Sequence, residues 1–110
     1  MTTHQDSNTT ESEQNSNNPL PRRVHVFVTG RVQGVFFRAE TKKQASGFGL
    51  AGWVRNLDDN RVEALFEGKG SDIDKILDWC RMGPRLAHVS DIEIIEEEPE
   101  GNMGDFRIIY

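Results

Sequence analysis

The sequence predicts one α+β domain in which two helices cover one face of an antiparallel sheet. Two observations support this prediction. Segments with apolar residues at every second position indicate strands, and two segments with apolar residues three or four positions apart indicate helices. In chain order these elements read βαββαβ, with a short extra strand at the C-terminus. Such an order is typical of two-layer α+β domains.

The first 22 of the 110 residues differ in composition from the rest. Residues 1–22 contain only Met1 and Leu20 as apolar residues, whereas about 42% of residues 23–110 are apolar, as in ordinary globular domains. A polar segment of this kind buries too little surface to offset the entropy lost on ordering. We therefore expect a disordered tail over residues 1–22 and one folded domain over 23–110.

The first strand, β1, is predicted at Arg23–Thr29, where three valines alternate with polar or aromatic residues. A segment with two glycines then separates this strand from a helical pattern that starts at Phe36. We predict helix α1 there, ending near Gly47, because four side chains lie near one helical stripe: Phe37, Thr41, Ala45 and Phe48.

A hairpin is predicted next, with β2 at Leu50–Leu57 and β3 at Arg61–Glu67, joined by turn-forming residues at 58–60. Helix α2 is the clearest helix, with a capping-box pattern at Ser71 and Asp74 and apolar residues at helical spacing before a Gly-Pro stop. Two strands follow. They are β4 at residues 89–96 and a short β5 with alternating Phe106, Ile108 and Tyr110.

This order of elements is that of the split βαβ, ferredoxin-like arrangement, whose usual strand order is 4-1-3-2. In that arrangement β1 and β2 are parallel with β3 between them, so the chain leaves both strands at the same edge of the sheet. Two inter-strand spacings amount to about 10 Å. We therefore expect the loop 30–36 after β1 to face Asn56, at the end of β2, across a gap that fits a small anion and a water molecule.

Charge and cysteine content argue against several classes of function. The chain has 18 acidic and 13 basic residues, which disfavours a protein whose affinity comes from neutralising nucleic-acid phosphates. Its single cysteine, Cys80, cannot form an internal disulfide, no Cys/His pair has zinc-binding spacing, and no apolar run is long enough to span a membrane. With no secretory signal visible, we expect a cytoplasmic protein without a metal, cofactor, nucleic-acid or membrane partner.

The loop after β1 and the start of α1 hold the residues best suited to bind an anion. Amides between a strand and a helix can converge on an anion, although many such loops contain glycine only for the turn. Arg38 lies in the first helical turn, where a cation is unfavourable unless it holds an anion or is screened by solvent. Residues 31–43 contain four basic residues and one acidic residue, and a positive island on an acidic domain favours a small anion.

Asn56 is the second candidate. Its side-chain amide both donates and accepts hydrogen bonds, as orienting a water molecule requires, although an asparagine before a turn is more often a turn residue. The other polar candidates have no partner at catalytic spacing and read as surface, turn or core residues: His25, His88, Asp58, Asp59 and Cys80.

Two segments resemble the signature motifs of the acylphosphatase family. The first is Gly-Arg-Val-Gln-Gly-Val-Phe-Phe-Arg at residues 30–38, and the second is Gly-Trp-Val-Arg-Asn at residues 52–56. Shorter matches continue along the chain, at Val62-Glu63, Gly68, Gly83-Pro84 and Asp105-Phe106. The resemblance therefore covers nearly all of residues 23–110.

The resemblance implies hydrolysis of acyl phosphates to a carboxylate and inorganic phosphate, by water attack on phosphorus without a metal, a cofactor or a covalent intermediate. By motif position, Arg38 would bind the phosphoryl group and Asn56 would position the water. Backbone amides would form the phosphate cradle, namely those of Gln33, Gly34, Val35, Phe36, Phe37 and Arg38. One departure is Asn60, where the family usually has glycine; asparagine also tolerates positive φ, so we expect the hairpin to form.

Two other functions fit parts of the pattern. RNA-binding modules share this order of elements and stack bases on aromatic residues of the sheet, but the open face here offers Phe27 on β1 and no aromatic partner on β3. A regulatory domain that binds phosphate without turnover would have no use for Asn56. Release of phosphate from an acyl phosphate separates an enzyme, expected here as a monomer, from both alternatives.

Overall fold

A computed structural model describes residues 19–110, so all but the last four residues of the predicted tail lie outside the described residues. Within them no helix is both long and apolar enough to cross a membrane. The elements follow the predicted order: β1 (Pro21–Arg31), α1 (Phe37–Gly47), β2 (Ala51–Asn56), β3 (Val62–Lys69), α2 (Gly70–Met82), β4 (His88–Glu97) and β5 (Phe106–Ile108). Strand β1 begins two residues before the expected start of the domain, because Pro21 and Arg22 already pair with the end of β3.

The five strands form one sheet in the order β4-β1-β3-β2-β5. The first four strands have the predicted neighbours, and all of their pairings are antiparallel. Strand β5 adds to the free edge of β2 in the parallel direction, with Gly52 opposite Phe106. The five-stranded sheet is therefore mixed, and the predicted antiparallel arrangement of its first four strands is confirmed. This addition brings the C-terminal residues to the edge of the sheet where β2 ends.

Both helices pack on one face of the sheet and bury its alternating apolar residues. Complete burial of one such side chain stabilises the folded state by about 1.5–3 kcal/mol, and a one-residue slip of a strand would expose all of its core residues. The register is thus fixed, and with it the positions at which β1 and β2 end. The core includes Val24, Val26, Val28, Val54, Phe66, Ile73 and Ile76, each at most 1% exposed.

The turn between β2 and β3 forms with asparagine in place of glycine. Asn60 has φ of 74°, in the left-handed region. The amide of Leu57 donates to the carbonyl of Arg61 at 2.8 Å, and the amide of Asn60 donates to the carbonyl of Leu57 at 3.2 Å. Strand pairing continues in register, with Asn56 opposite Val62. The prediction that this hairpin forms is confirmed.

Helix α2 begins earlier than the sequence pattern indicates and has no side-chain cap. Its N-cap residue is Lys69, and no side chain forms a capping hydrogen bond, so the predicted capping box of Ser71 and Asp74 is wrong. The physical reason is that β3 runs directly into the helix. The amide of Gly70 instead donates to the carbonyl of Leu20 at 2.9 Å, so a contact between distant segments replaces the local cap.

The face of the sheet opposite the helices carries aromatic rings among ion pairs. His25 stacks on Phe27, with ring centroids 4.8 Å apart, and meets the ring of Trp53 edge-on at 5.9 Å. Trp53 of β2 is therefore a second aromatic residue on this face. The patterns of β1 and β3 alone had indicated that Phe27 has no aromatic partner there. Burial alone would raise the pKa of Glu63, but hydrogen bonds from Arg55 and His25 outweigh burial and lower this pKa. The ionised carboxylate therefore neutralises positive charge on this face.

Candidate active site

A cavity of about 360 Å³ lies at the edge of the sheet where β1 and β2 end. Four parts of the chain enclose it: the loop after β1, the first turn of α1, the end of β2, and the C-terminal residues. Arg38 and Asn56, which are distant in sequence, both line this cavity. Its described lining residues are Val32, Gly34, Phe36, Phe37, Arg38, Ala39, Asn56, Ile108 and Tyr110.

The loop between β1 and α1 leaves a run of backbone amides free. Within residues 19–110, no group accepts a hydrogen bond from the amides of residues 33–38. Buried or partly buried amides normally have a partner, and the first amides of a helix have none inside the helix. Alternation between left- and right-handed backbone conformations turns successive amides into a concave anion site. This loop contains such alternation, since Gly34 has φ of 74° and Phe36 has φ of 66° directly before the helix.

Four of the six predicted cradle residues line the cavity, and Gln33 and Val35 do not. The side chain of Gln33 has a different position, which the sequence did not indicate. Its Nε2 donates to the carbonyl oxygens of Leu57 and Arg61, at 2.8 and 2.9 Å. These two bonds connect the loop after β1 to the turn of the hairpin, which begins directly after Asn56. They therefore hold the free amides in a fixed position relative to the asparagine.

Arg38 projects from the first turn of α1 and is half-buried. Among the residues that the structure describes, no acidic side chain forms an ion pair with it. The centre of its guanidinium lies 5.3 Å from the centroid of the Tyr110 ring, a cation–π contact. The five N–H donors of the guanidinium are thus left for a ligand, close to the positive end of the helix dipole. Such a combination favours an anion that accepts two parallel hydrogen bonds.

Asn56 is the last residue of β2. Its side-chain oxygen Oδ1 is buried and has no hydrogen-bond partner among residues 19–110. An unsatisfied buried acceptor costs about 1–3 kcal/mol, so native structures rarely keep one without a use. Asn56 also lines the cavity, so a group bound there is in a position to donate a hydrogen bond to its carboxamide. A water molecule and a protonated ligand oxygen are both suitable donors.

The C-terminal wall of the cavity was not predicted from the sequence. Ile108 and Tyr110 line the cavity because β5 pairs in parallel with β2, which directs the end of the chain towards Asn56. The alternation of residues 106, 108 and 110 does indicate a strand. It does not indicate which edge of the sheet accepts that strand, and the position of the wall depends on that choice.

The described residues offer no cluster suited to a metal ion. Within residues 19–110, no three His, Cys, Asp or Glu side chains come together at a potential metal site. The polar side chains of the cavity are a guanidinium, a carboxamide and a phenol, of which the guanidinium has no lone pair to donate to a metal. The donor set is therefore suited to an anion with several oxygens.

Comparison with known proteins identifies the family. Residues 24–108 match the family model described as acylphosphatase. An acylphosphatase of Syntrophus aciditrophicus is 53% identical over 91 residues, which cover 83% of this chain and 95% of that protein. The crystal structure of acylphosphatase from Bacillus subtilis superposes with a TM-score of 0.78 at 36% identity, covering 81% of this chain and 99% of that one. The structure of an acylphosphatase from Coxiella burnetii superposes with a TM-score of 0.77 at 38% identity, covering 87% of this chain and 98% of that one. The chain therefore belongs to the acylphosphatase family.

Proposed function

We propose that this protein hydrolyses the carboxyl-phosphate anhydride of small acyl phosphates, with the phosphoryl group bound in the cavity between Arg38 and Asn56. The observation that carries this proposal is the convergence of three features on one cavity. These are free amides of the loop residues that line the cavity, a guanidinium without an acidic partner among the described residues, and a buried carboxamide oxygen without a donor among them. Family membership supports the same reaction, because acylphosphatases are hydrolases that act on acid anhydrides.

In the proposed ground state, the amides of residues 33–38 and the fork of Arg38 hold the non-bridging oxygens of the phosphoryl group. Donors fixed in advance of the reaction stabilise the charge of the transition state without reorganising, and phosphoryl transfer requires little beyond such positioning. The bonds from Gln33 to the hairpin support this preorganisation. The ring of Tyr110 adds a cation–π contact to the guanidinium of Arg38.

Asn56 positions the nucleophile in this proposal. Its Oδ1 accepts a hydrogen bond from a water molecule and aligns the water oxygen with phosphorus, opposite the acyl oxygen. The water oxygen forms a bond to phosphorus while the bond from phosphorus to the acyl oxygen breaks, and the bonding pair leaves with the carboxylate. A phosphoryl oxygen takes the proton of the water. Carboxylate is a stable leaving group at neutral pH, so the site needs no general acid.

Direct attack by water, without a covalent intermediate, is supported by the composition of the cavity. Its described lining residues include no serine, cysteine, histidine, aspartate or glutamate. Cys80 lies in the core instead, where burial raises the pKa of its thiol to about 12 and keeps it un-ionised.

We extend the proposal to a monomeric, metal-independent protein of the cytoplasm that binds no nucleic acid. A single cysteine in the thiol form is typical of proteins in a reducing compartment. The arginines on the open face of the sheet pair with carboxylates, which disfavours binding of nucleic-acid phosphates there.

Phosphate release from benzoyl phosphate tests the proposed function. We expect turnover that persists after exhaustive treatment with a chelator, and turnover of the phosphate monoester p-nitrophenyl phosphate that is at least about 10²-fold lower, because its phenolate is a poorer leaving group. Equal turnover of the ester would contradict the proposed reaction. A loss of activity on chelation that Mg²⁺ restores would contradict metal independence.

A further inference from the structure

A second cleft, of about 310 Å³, adjoins the candidate active site. It lies on the other side of Phe36, which is the one residue that lines both cavities among the described residues. Its floor and walls are mainly apolar, and one acidic and one basic side chain flank them. The lining residues are Val35, Phe36, Glu40, Pro84, Arg85 and Leu86.

The wall formed by residues 84–86 is anchored beside the start of α1. A hydrogen bond of 2.9 Å from the amide of Ala87 to the carbonyl of Pro84 closes this turn. The preceding residue, Gly83, packs so closely on α1 that an added Cβ would lie 2.8 Å from the Phe37 ring. Since Phe37 also lines the first cavity, this contact connects the wall of the second cleft to the first cavity.

Phe36 is an unusual residue for the position that it occupies. It precedes α1 with φ of 66° and ψ of 21°, a left-handed conformation that costs an L-residue with a bulky side chain about 1–2 kcal/mol. Phe36 is 70% exposed, so core packing does not offset this cost. Strained backbone of this kind is concentrated at functional sites. An exposed aromatic residue that borders two cavities can contact a ligand that spans both.

We propose that the second cleft binds the acyl group of the substrate and gives the enzyme a preference for aromatic and longer aliphatic acyl phosphates over acetyl phosphate. This inference rests on the proposed function. In an acyl phosphate a single oxygen separates phosphorus from the acyl carbon, so the acyl group must leave the phosphate cradle across its rim. Phe36 forms the rim that both cavities share, and Val35, Pro84 and Leu86 offer apolar surface directly beyond it.

Leu86→Ala tests this inference, because Leu86 is 59% exposed and its truncation leaves the core intact. We expect kcat/KM for benzoyl phosphate to fall about tenfold, the low end of the effect of a lost apolar contact in a pocket, while kcat/KM for acetyl phosphate changes less than about twofold. The loss should arise mainly as a higher KM, since the contact persists from ground state to transition state. Leu86→Met should restore the preference, because it conserves apolar volume.

Met82→Ala is the matched control. Met82 is 73% exposed at the end of α2 and does not line the cleft. The inference would be overturned if Leu86→Ala left the ratio of the two kcat/KM values unchanged, or if Met82→Ala changed it equally. If the unmodified protein hydrolysed neither acyl phosphate, the proposed function itself would fail, a result distinct from turnover of both substrates without selectivity at Leu86.

Discussion

Replacing Arg38 with lysine is expected to lower kcat/KM for benzoyl phosphate by about 10³-fold. Loss of a single preorganised donor at a developing charge costs about 10²–10³-fold, and an arginine at a transferring phosphoryl group contributes about 10³–10⁵-fold. Lysine keeps the positive charge at the start of α1 but supplies a point charge in place of two parallel donors. The substitution therefore separates the geometry of the guanidinium from its charge.

Arg31→Lys provides the matched control, since Arg31 ends β1, is exposed, and does not line the cavity. We expect this variant to stay within about twofold of the unmodified protein, as surface substitutions generally do. Steady-state kinetics together with inhibition by inorganic phosphate report both turnover and binding. If Arg38→Lys retained near-normal turnover, the bidentate contact would have no place in the mechanism.

Replacing Asn56 with alanine is expected to lower kcat by about 10²–10³-fold, while the inhibition constant for inorganic phosphate changes little. The reason is that Asn56 orients the attacking water in the proposed mechanism, whereas the amides and Arg38 hold the phosphate. Stability should move in the opposite direction from activity. The substitution removes a buried oxygen that no described group satisfies, so the free energy of unfolding should stay equal or rise by about 1 kcal/mol.

Kinetics and thermal unfolding of Asn56→Ala should be measured beside Asn60→Gly, which changes an asparagine of the same hairpin outside the cavity. Asn60→Gly is expected to keep normal kcat, because glycine adopts the same positive φ. If Asn56→Ala kept normal kcat but lowered Tm by many degrees, Asn56 would be a structural residue of the turn.

Much of this fold is predictable from the sequence because the pattern of apolar residues is local and strong. The valines of β1 alternate, and the apolar stripe of α2 has helical spacing, so the existence and order of these elements follow directly. Element ends are less predictable, since long-range pairing determines them. Strand β1 extends to Arg31 because a register shift after Thr29 lets it continue along β4, and α2 begins at Gly70 because Leu20 binds its first amide.

The candidate site, too, was predictable in part from the sequence. The topology predicted from the order of elements places the loop after β1 beside Asn56, and the described cavity contains both Arg38 and Asn56. The side-chain bonds of Gln33, the wall formed by Tyr110 and the second cleft beyond Phe36 were not predicted. Each of these features depends on contacts between segments that are distant in sequence, such as the pairing of β5 with β2. The spacing of residues in a single sequence does not indicate such contacts.

The most direct test of the central claim is a titration of the ¹⁵N-labelled protein with inorganic phosphate, followed by two-dimensional NMR at constant ionic strength. We expect the largest chemical-shift changes at the backbone amides of residues 33–38 and at the side-chain nitrogens of Arg38 and Asn56. Saturable shifts confined to other places, such as the arginines on the open face of the sheet, with these signals unmoved, would contradict the account.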